Sequence, residues 1–241
     1  MNSGYTPLAW FYNKYWTYEA PDLFEKILNR LLLPSVPKKG RILELCCGTG
    51  QICERLSQRL FEVVGLDNSP EMLKFAKVNA PSASFILGDA RDFKVNKPFD
   101  AVTSLFDSIN HILAEDELLK TFQCVRGALN EGGVFLFDVN DSKSFNKNWE
   151  NGFSMVEDND ICILKPSFDS NSGIAVYNIT MMERVGETWR RMDTIVHERY
   201  YSDEVIVRSL TKAGFTTIQL LDGWTDLRVK AFANRRFILA S

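Results

Sequence analysis

Between residues 41 and 139, short apolar runs alternate with segments whose apolar residues recur every three or four positions. That is the pattern of strand–helix–strand units feeding a parallel sheet. The runs Arg41 to Cys46, Phe61 to Leu66, Ser84 to Leu87, Asp100 to Leu105 and Val134 to Val139 predict strands. Helices are predicted over Gln51 to Leu60, Pro70 to Asn79 and Glu115 to Leu129. Pro70 suits a first helical turn, and Gly132 with Gly133 punctuates the return to a strand. Further on, Ser202 caps a helix whose first turn carries Asp203 and Glu204 and which Gly214 ends; strands follow at Thr216 to Leu221 and Arg236 to Ala240.

Residues 141 to 200 interrupt this alternation for far longer than the usual connection of roughly 2–6 residues, so an insertion is expected there. Within it, Ile161 to Phe168, Ile174 to Met182 and Thr188 to Tyr200 predict strands, separated by turns at 170–173 and 185–187. The expectation is an α/β fold: a mostly parallel seven-stranded sheet with helices on both faces and an inserted three-stranded antiparallel cap.

Composition narrows the class. With 45% hydrophobic and 24% charged residues, the 241-residue chain is neither collagen-like nor disordered and is long enough for a core with a ligand pocket. A net charge of −3 disfavours sequence-independent binding to long nucleic acids, which depends on neutralising phosphates. The five cysteines form no C-x-x-C pair, and with only His111 and His197 there is no zinc spacing, so neither disulfides nor a metal is expected. The start lacks a signal-peptide pattern and no run approaches ~18 apolar residues, which predicts a cytoplasmic protein with no membrane partner. Oligomeric state stays open between monomer and homodimer.

The chemistry concentrates in Arg41-Ile-Leu-Glu-Leu-Cys-Cys-Gly-Thr-Gly50, where a strand runs directly into a helix and Gly48 and Gly50 admit a ligand close to the backbone. Asp67 ends the next strand, where doubly wound folds place the acid that holds ribose hydroxyls. The bland alternative is a tight turn beside a solvated acid. Parsed as G-x-G-x-x-C, with Cys53 for the third glycine, the turn also admits an NAD-dependent oxidoreductase. Glu44 speaks against a pyrophosphate and for a ligand carrying an ammonium and a sulfonium, and no Tyr-x-x-x-Lys pair occurs. S-adenosylmethionine is such a ligand.

These residues resemble the class I S-adenosylmethionine-dependent methyltransferases. Three segments carry the resemblance in order: Glu44 to Gly50, Asp67-Asn-Ser-Pro-Glu-Met-Leu73 and Gly88-Asp-Ala-Arg-Asp-Phe93. Cys46 stands where the family usually has Gly or Ala. The resemblance implies a Rossmann-like core at 41–140 and 201–241, a substrate cap at 141–200 and an aromatic helical lid at 1–40. It also implies that Glu44 and the backbone of Cys46, Gly48 and Gly50 hold the methionine portion of S-adenosylmethionine, and that Asp67 takes the ribose hydroxyls. Met72 or Asn68 would pack on adenine, with Asp89 and the Ala90 amide bonding to it. In the lid, crowded with Tyr5, Trp10, Phe11, Tyr12, Tyr15, Trp16 and Tyr18, Tyr12 matches the family's cofactor-covering tyrosine and Asn13 replaces its aspartate.

The stretch from Phe106 to His111 follows the fourth strand and should approach the sulfonium and the acceptor, although Asp107 and Ser108 equally suit helix capping. His111 is the first candidate for a general base, or else a buried hydrogen-bonding histidine; His197 is the second, and Tyr12 joins the catalytic set. Strand alternation puts Trp189, Arg191, Asp193, Ile195, His197 and Arg199 on one face and Arg190, Met192, Thr194, Val196, Glu198 and Tyr200 on the other. Arg191, His197 and Arg199 would then meet an anionic group, unless they form a solvated surface. Antiparallel caps resemble those of amino-sugar and glycine N-methyltransferases, which implies methyl transfer to a nitrogen or oxygen of a small polar metabolite. The rivals are an NAD-dependent oxidoreductase, a nucleic-acid methyltransferase and a noncatalytic S-adenosylmethionine-binding module.

Overall fold

The computed structural model describes residues 4–16, 20–148 and 152–241. In chain order the helices are α1 (Ala9–Phe11), α2 (Ala20–Ile27), α3 (Gln51–Ser57), α4 (Pro70–Asn79), α5 (Glu115–Ala128), α6 (Ser142–Asn148) and α7 (Asp203–Ala213). The strands are β1 (Arg41–Leu45), β2 (Glu62–Asp67), β3 (Ser84–Leu87), β4 (Phe99–Ser104), β5 (Leu129–Asn140), β6 (Phe153–Val156), β7 (Asp160–Asp169), β8 (Ile174–Val185), β9 (Thr188–Arg199), β10 (Ile218–Asp222) and β11 (Arg235–Ala240).

β1 and β4 are apolar on both faces because both are covered. The main sheet runs β10-β11-β5-β4-β1-β2-β3, parallel except for β11, which is antiparallel to both its neighbours. One side packs Leu118, Phe122, Ile206 and Leu210 of α5 and α7, and the other Phe24, Leu56 and Leu73 of α2, α3 and α4. The local signals read from the sequence hold, with Pro70 opening α4, Ser202 accepting the Val205 amide and Gly214 ending α7 at φ +98°, and the structure adds a cap at Ser69, which accepts the Met72 amide. Two boundaries differ. α3 stops at Ser57, because the chain turns back at Leu60 with φ +66°. β5 starts at Leu129, ahead of the glycine pair, which falls inside the strand beside a bulge opposite Phe99–Ala101.

The cap is corrected from three strands to four, in the order β6-β7-β8-β9. β6 has only four residues, largely exposed, so it carries no alternation to read; pairing of Phe153 with Leu164 is what makes it a strand. The N-terminal segment lies against this cap: Leu8 and Phe11 pack on Cys162, Ile179, Met181 and Val196. It contains one turn of α1 and a wide helical turn over Tyr12–Trp16, and Tyr15 and Lys14 both donate to Asp160 at 2.5 Å. Tyr18 lies outside the described residues.

The cap is also fastened to the body along β9. Asn110 donates to the Arg199 carbonyl (2.8 Å), Arg199 to that of Leu113 (2.8 Å), and Asn140 to Glu198 (3.1 Å). Just beyond β9, Tyr201 donates to Ile112 (2.5 Å).

Gly50 is the tightest joint of the core. Its φ is +87°, and a Cβ there would lie 2.9 Å from Ala76 Cα in α4. Gly50→Ala should therefore lower stability by about 1–3 kcal/mol in urea unfolding. Gly127→Ala, on the exposed face of α5 with nothing within 4 Å, should raise it by roughly 0.4–1 kcal/mol.

Candidate active site

β1 lies between β2 and β4, so the strand order reverses there, and open α/β sheets bind ligands at the carboxyl ends of strands at such a point. A cavity of about 750 Å3 opens there. Its wall brings together Tyr12, Cys46, Gly48, Asp67, Asn68, Met72, Asp89, Ala90, Phe106, His111 and His197, from the N-terminal segment, the body and the cap. Glu44 and Gly50 are not in that wall. Gly50 is pressed on Ala76, and Glu44, next to the last residue of β1, is buried at 2% exposure.

The turn after β1 shows why a residue with little or no side chain is usual at Cys46: its φ is +58°, in the left-handed region that costs any L side chain energy. Phe106 (φ +64°) and Asp107 (φ +52°) repeat the feature after β4, so strained backbone clusters at this end of the sheet. Asp67 braces the turn, accepting from the Gly48 amide (2.9 Å) and the Ser69 amide (2.8 Å). Burial still pushes its carboxyl pKa up, against the lowering pull of those amides.

Asp89 is less free than expected. Arg91 donates to both its oxygens (2.8 and 2.6 Å), its amide adds a third bond (2.9 Å), and the guanidinium also reaches Glu117 (2.8 Å). Arg91 thereby holds the Asp89 carboxyl below its ordinary pKa.

Glu44 has the opposite problem. Burial pushes its pKa up to about 8, outweighing Thr103 and the Leu105 backbone, which lower it, and Oε2 has no hydrogen-bond partner. Asp138, two residues before the end of β5, is likewise raised to about 6 by burial and leaves Oδ1 unpartnered, although Arg235 donates to its other oxygen.

At the far end of the cavity, His111 Nδ1 lies 2.9 Å from the His197 carbonyl and Nε2 lies 2.9 Å from the Tyr5 hydroxyl. A carbonyl only accepts, so Nδ1 carries the proton and Nε2 keeps its lone pair. Burial lowers the pKa of His111, against the opposing pull of Asp107 and the carbonyl. Candidate ligand atoms of Asp107, His111 and Glu198 lie within 4.8 Å of one another. A metal ion there would have to displace Tyr5 and sit beside the Arg235 guanidinium, 2.7 Å from Asp107. Burial and the Asp107 carboxylate push Glu198 toward protonation.

The sequence reading missed Tyr5 as a site residue, and with it Glu198, Asp138 and Arg235. None belongs to a motif, and strand alternation placed Glu198 on a face without saying that this face turns inward. That face does: Val196 and Glu198 are buried, while His197 offers its backbone to His111 and leaves its side chain exposed. Of the two readings of Arg191, His197 and Arg199, the structure fits the solvated surface. Arg191 pairs with Asp193 (2.9 Å) in solvent, and Arg199 is spent on the Leu113 carbonyl and Glu115.

A family model described as a methyltransferase domain matches residues 42–133. The crystal structure of an S-adenosylmethionine-dependent methyltransferase from Clostridium acetobutylicum superposes with a TM-score of 0.79 at 26% identity, over 98% of each chain. YqeM of Bacillus subtilis (strain 168), named as a methyltransferase, is 32% identical over 211 residues, 86% of this chain and 85% of its own. The chain belongs to the S-adenosylmethionine-dependent methyltransferases. A Streptomyces venezuelae dTDP-3-amino-3,4,6-trideoxy-alpha-D-glucopyranose N,N-dimethyltransferase is 30% identical to this methyltransferase over 120 residues, 50% of this chain and 48% of that one. Among the described residues of the methyltransferase, no helix is long and apolar enough to cross a membrane.

Glu44 yields a pH prediction. Its folded pKa, about 8, lies above the ordinary value of 4.5, so the folded state holds the proton more tightly. Its contribution to stability is complete below pH 4.5 and is lost as pH rises through about 8. Glu44→Gln removes that loss, so its melting temperature should fall less than the wild type's between pH 5 and pH 9 in thermal scans without ligand.

Proposed function

We propose that this methyltransferase moves a methyl group from S-adenosylmethionine to a nitrogen of a small polar amine, using His111 as the proton acceptor. When bound, S-adenosylmethionine supplies a methyl group on a positively charged sulfonium, ready for in-line displacement. The residues fit that group: Glu44 Oε2 lacks a partner and suits a cation, and a Cβ at Gly48 would meet only Tyr12, at 3.9 Å, so the turn leaves room beside its backbone. The Cys46 and Gly48 backbone would hold the methionine portion from the cavity wall, with Glu44 and Gly50 behind that turn and Tyr12 and Phe106 covering it. Asp67 would take the ribose hydroxyls. Met72, Asn68, the Ala90 amide and the partly engaged Asp89 would receive adenine.

The observation that carries the acceptor reading is the His111 tautomer, which leaves a lone pair on Nε2 at the cavity wall beside Asp107 and Glu198. A neutral imidazole takes a proton from an acceptor, and the Asp107 carboxylate stabilises the imidazolium that results. It equally favours an acceptor that enters as a cation, which supports nitrogen over oxygen. The name of the Streptomyces venezuelae relative, an amino-sugar N,N-dimethyltransferase, points the same way. His197 is not retained as a base, because it meets His111 through its backbone. Alignment of acceptor, methyl carbon and sulfur then supplies much of the remaining rate.

Calorimetric titration with S-adenosylmethionine, S-adenosylhomocysteine and NAD in parallel tests the cofactor site, followed by a turnover screen of small amines and amino sugars. Asp67→Asn should weaken S-adenosylmethionine binding at least tenfold, about 1.4 kcal/mol. Unchanged affinity, or binding of NAD alone, would overturn the assignment.

A further inference from the structure

We propose that Tyr5 is a positioning residue for His111, and that Gly4 is the residue that lays Tyr5 in place. The proposal rests on the reading of His111 as the proton acceptor. Gly4 lies flat on the cap: Thr194 donates to its carbonyl at 2.7 Å, and a Cβ on Gly4 would lie 2.4 Å from the Ile195 carbonyl oxygen, so a larger residue lifts the segment off β9. The next side chain, Tyr5, then reaches His111, its ring edge-on at 5.1 Å and its hydroxyl 2.9 Å from Nε2. Since Nδ1 is the protonated nitrogen, the phenol is the donor in that bond. A donor held on the lone pair opposes protonation there, so Tyr5 keeps the imidazole neutral and oriented toward the cavity until an acceptor arrives.

An acceptor that replaces the phenol hydroxyl at Nε2 meets a lone pair already aimed. Its proton passes to Nε2 and its own electron pair is freed for attack. The imidazolium keeps its Nδ1 proton on the His197 carbonyl. The charged and titratable groups around it are Asp107 on its own turn, Glu198 on β9, and Tyr5 with Tyr12 behind it in the N-terminal segment. Arg235 of β11 and Asp138 of β5 stand behind Asp107. Burial, with Tyr12, Asp107, Glu198 and Tyr177 adding to it, raises the Tyr5 phenol pKa, so it remains a donor throughout the range in which histidine titrates.

The test needs no acceptor. The chain has two histidines, so a nitrogen-15 NMR titration of the full-length protein gives two imidazole signals, which His197→Gln assigns. Tyr5→Phe keeps the ring and removes the hydroxyl; the pKa of His111 should rise by about half a pH unit or more, with Nδ1 still the protonated nitrogen. Gly4→Ala should give the same rise with the phenol intact. An unchanged His111 titration in Tyr5→Phe overturns the proposal, and an unchanged titration in Gly4→Ala alone removes the part assigned to Gly4. Failure of the underlying reading shows elsewhere: full turnover by His111→Gln removes the proton-acceptor role while leaving the titration result standing.

Discussion

Three carboxyl groups lie within the last three residues of their strands, Glu44 in β1, Asp67 in β2 and Asp138 in β5, and none is more than 9% exposed. Burying a carboxylate without a cation is costly, and here burial pushes all three toward protonation. Backbone amides answer Asp67, and a single guanidinium, Arg235, answers Asp138 and Asp107. Glu44 is left with an unpartnered oxygen. On the proposed reading, a ligand carrying both an ammonium and a sulfonium would supply a positive charge for that oxygen.

The same constraint explains why the body does not form the site alone. The Ser108–His111 turn is bonded along the end of β9, and the N-terminal segment lies across the cap by packing Leu8 and Phe11 into it. His111 stands where all three parts meet, with one ring nitrogen on the cap's backbone and the other on the N-terminal segment. The aromatic residues near the start of the chain thus serve in two ways. Phe11, Tyr15 and Trp16 pack into the cap, while Tyr5 and Tyr12 line the cavity.

Most of the Rossmann-like core was legible because its signals are local. The apolar runs of β1, β2 and β4, the Pro70 and Ser202 starts of α4 and α7, and the turn at Gly48–Gly50 each depend on residues within one or two turns of one another. The cap was legible as a meander but lost β6, whose four residues become a strand only by pairing with β7. Asp89 was legible as a loop acid, and it lines the cavity, yet its partner Arg91, two residues on, went unremarked because nothing in the pattern shows which way that side chain folds back.

By itself, then, the sequence determined the sheet, the glycine turn and the order of acids near the strand ends, since those follow from spacing along one stretch of chain. Tertiary structure decided everything that depends on convergence. Tyr5 meets His111 across 106 positions and Arg235 meets Asp107 across 128, distances over which no periodicity carries information. It also decided protonation: Glu44 is an ordinary acid as a letter in the sequence and becomes a group with a pKa of about 8 only because the fold removes water from around it.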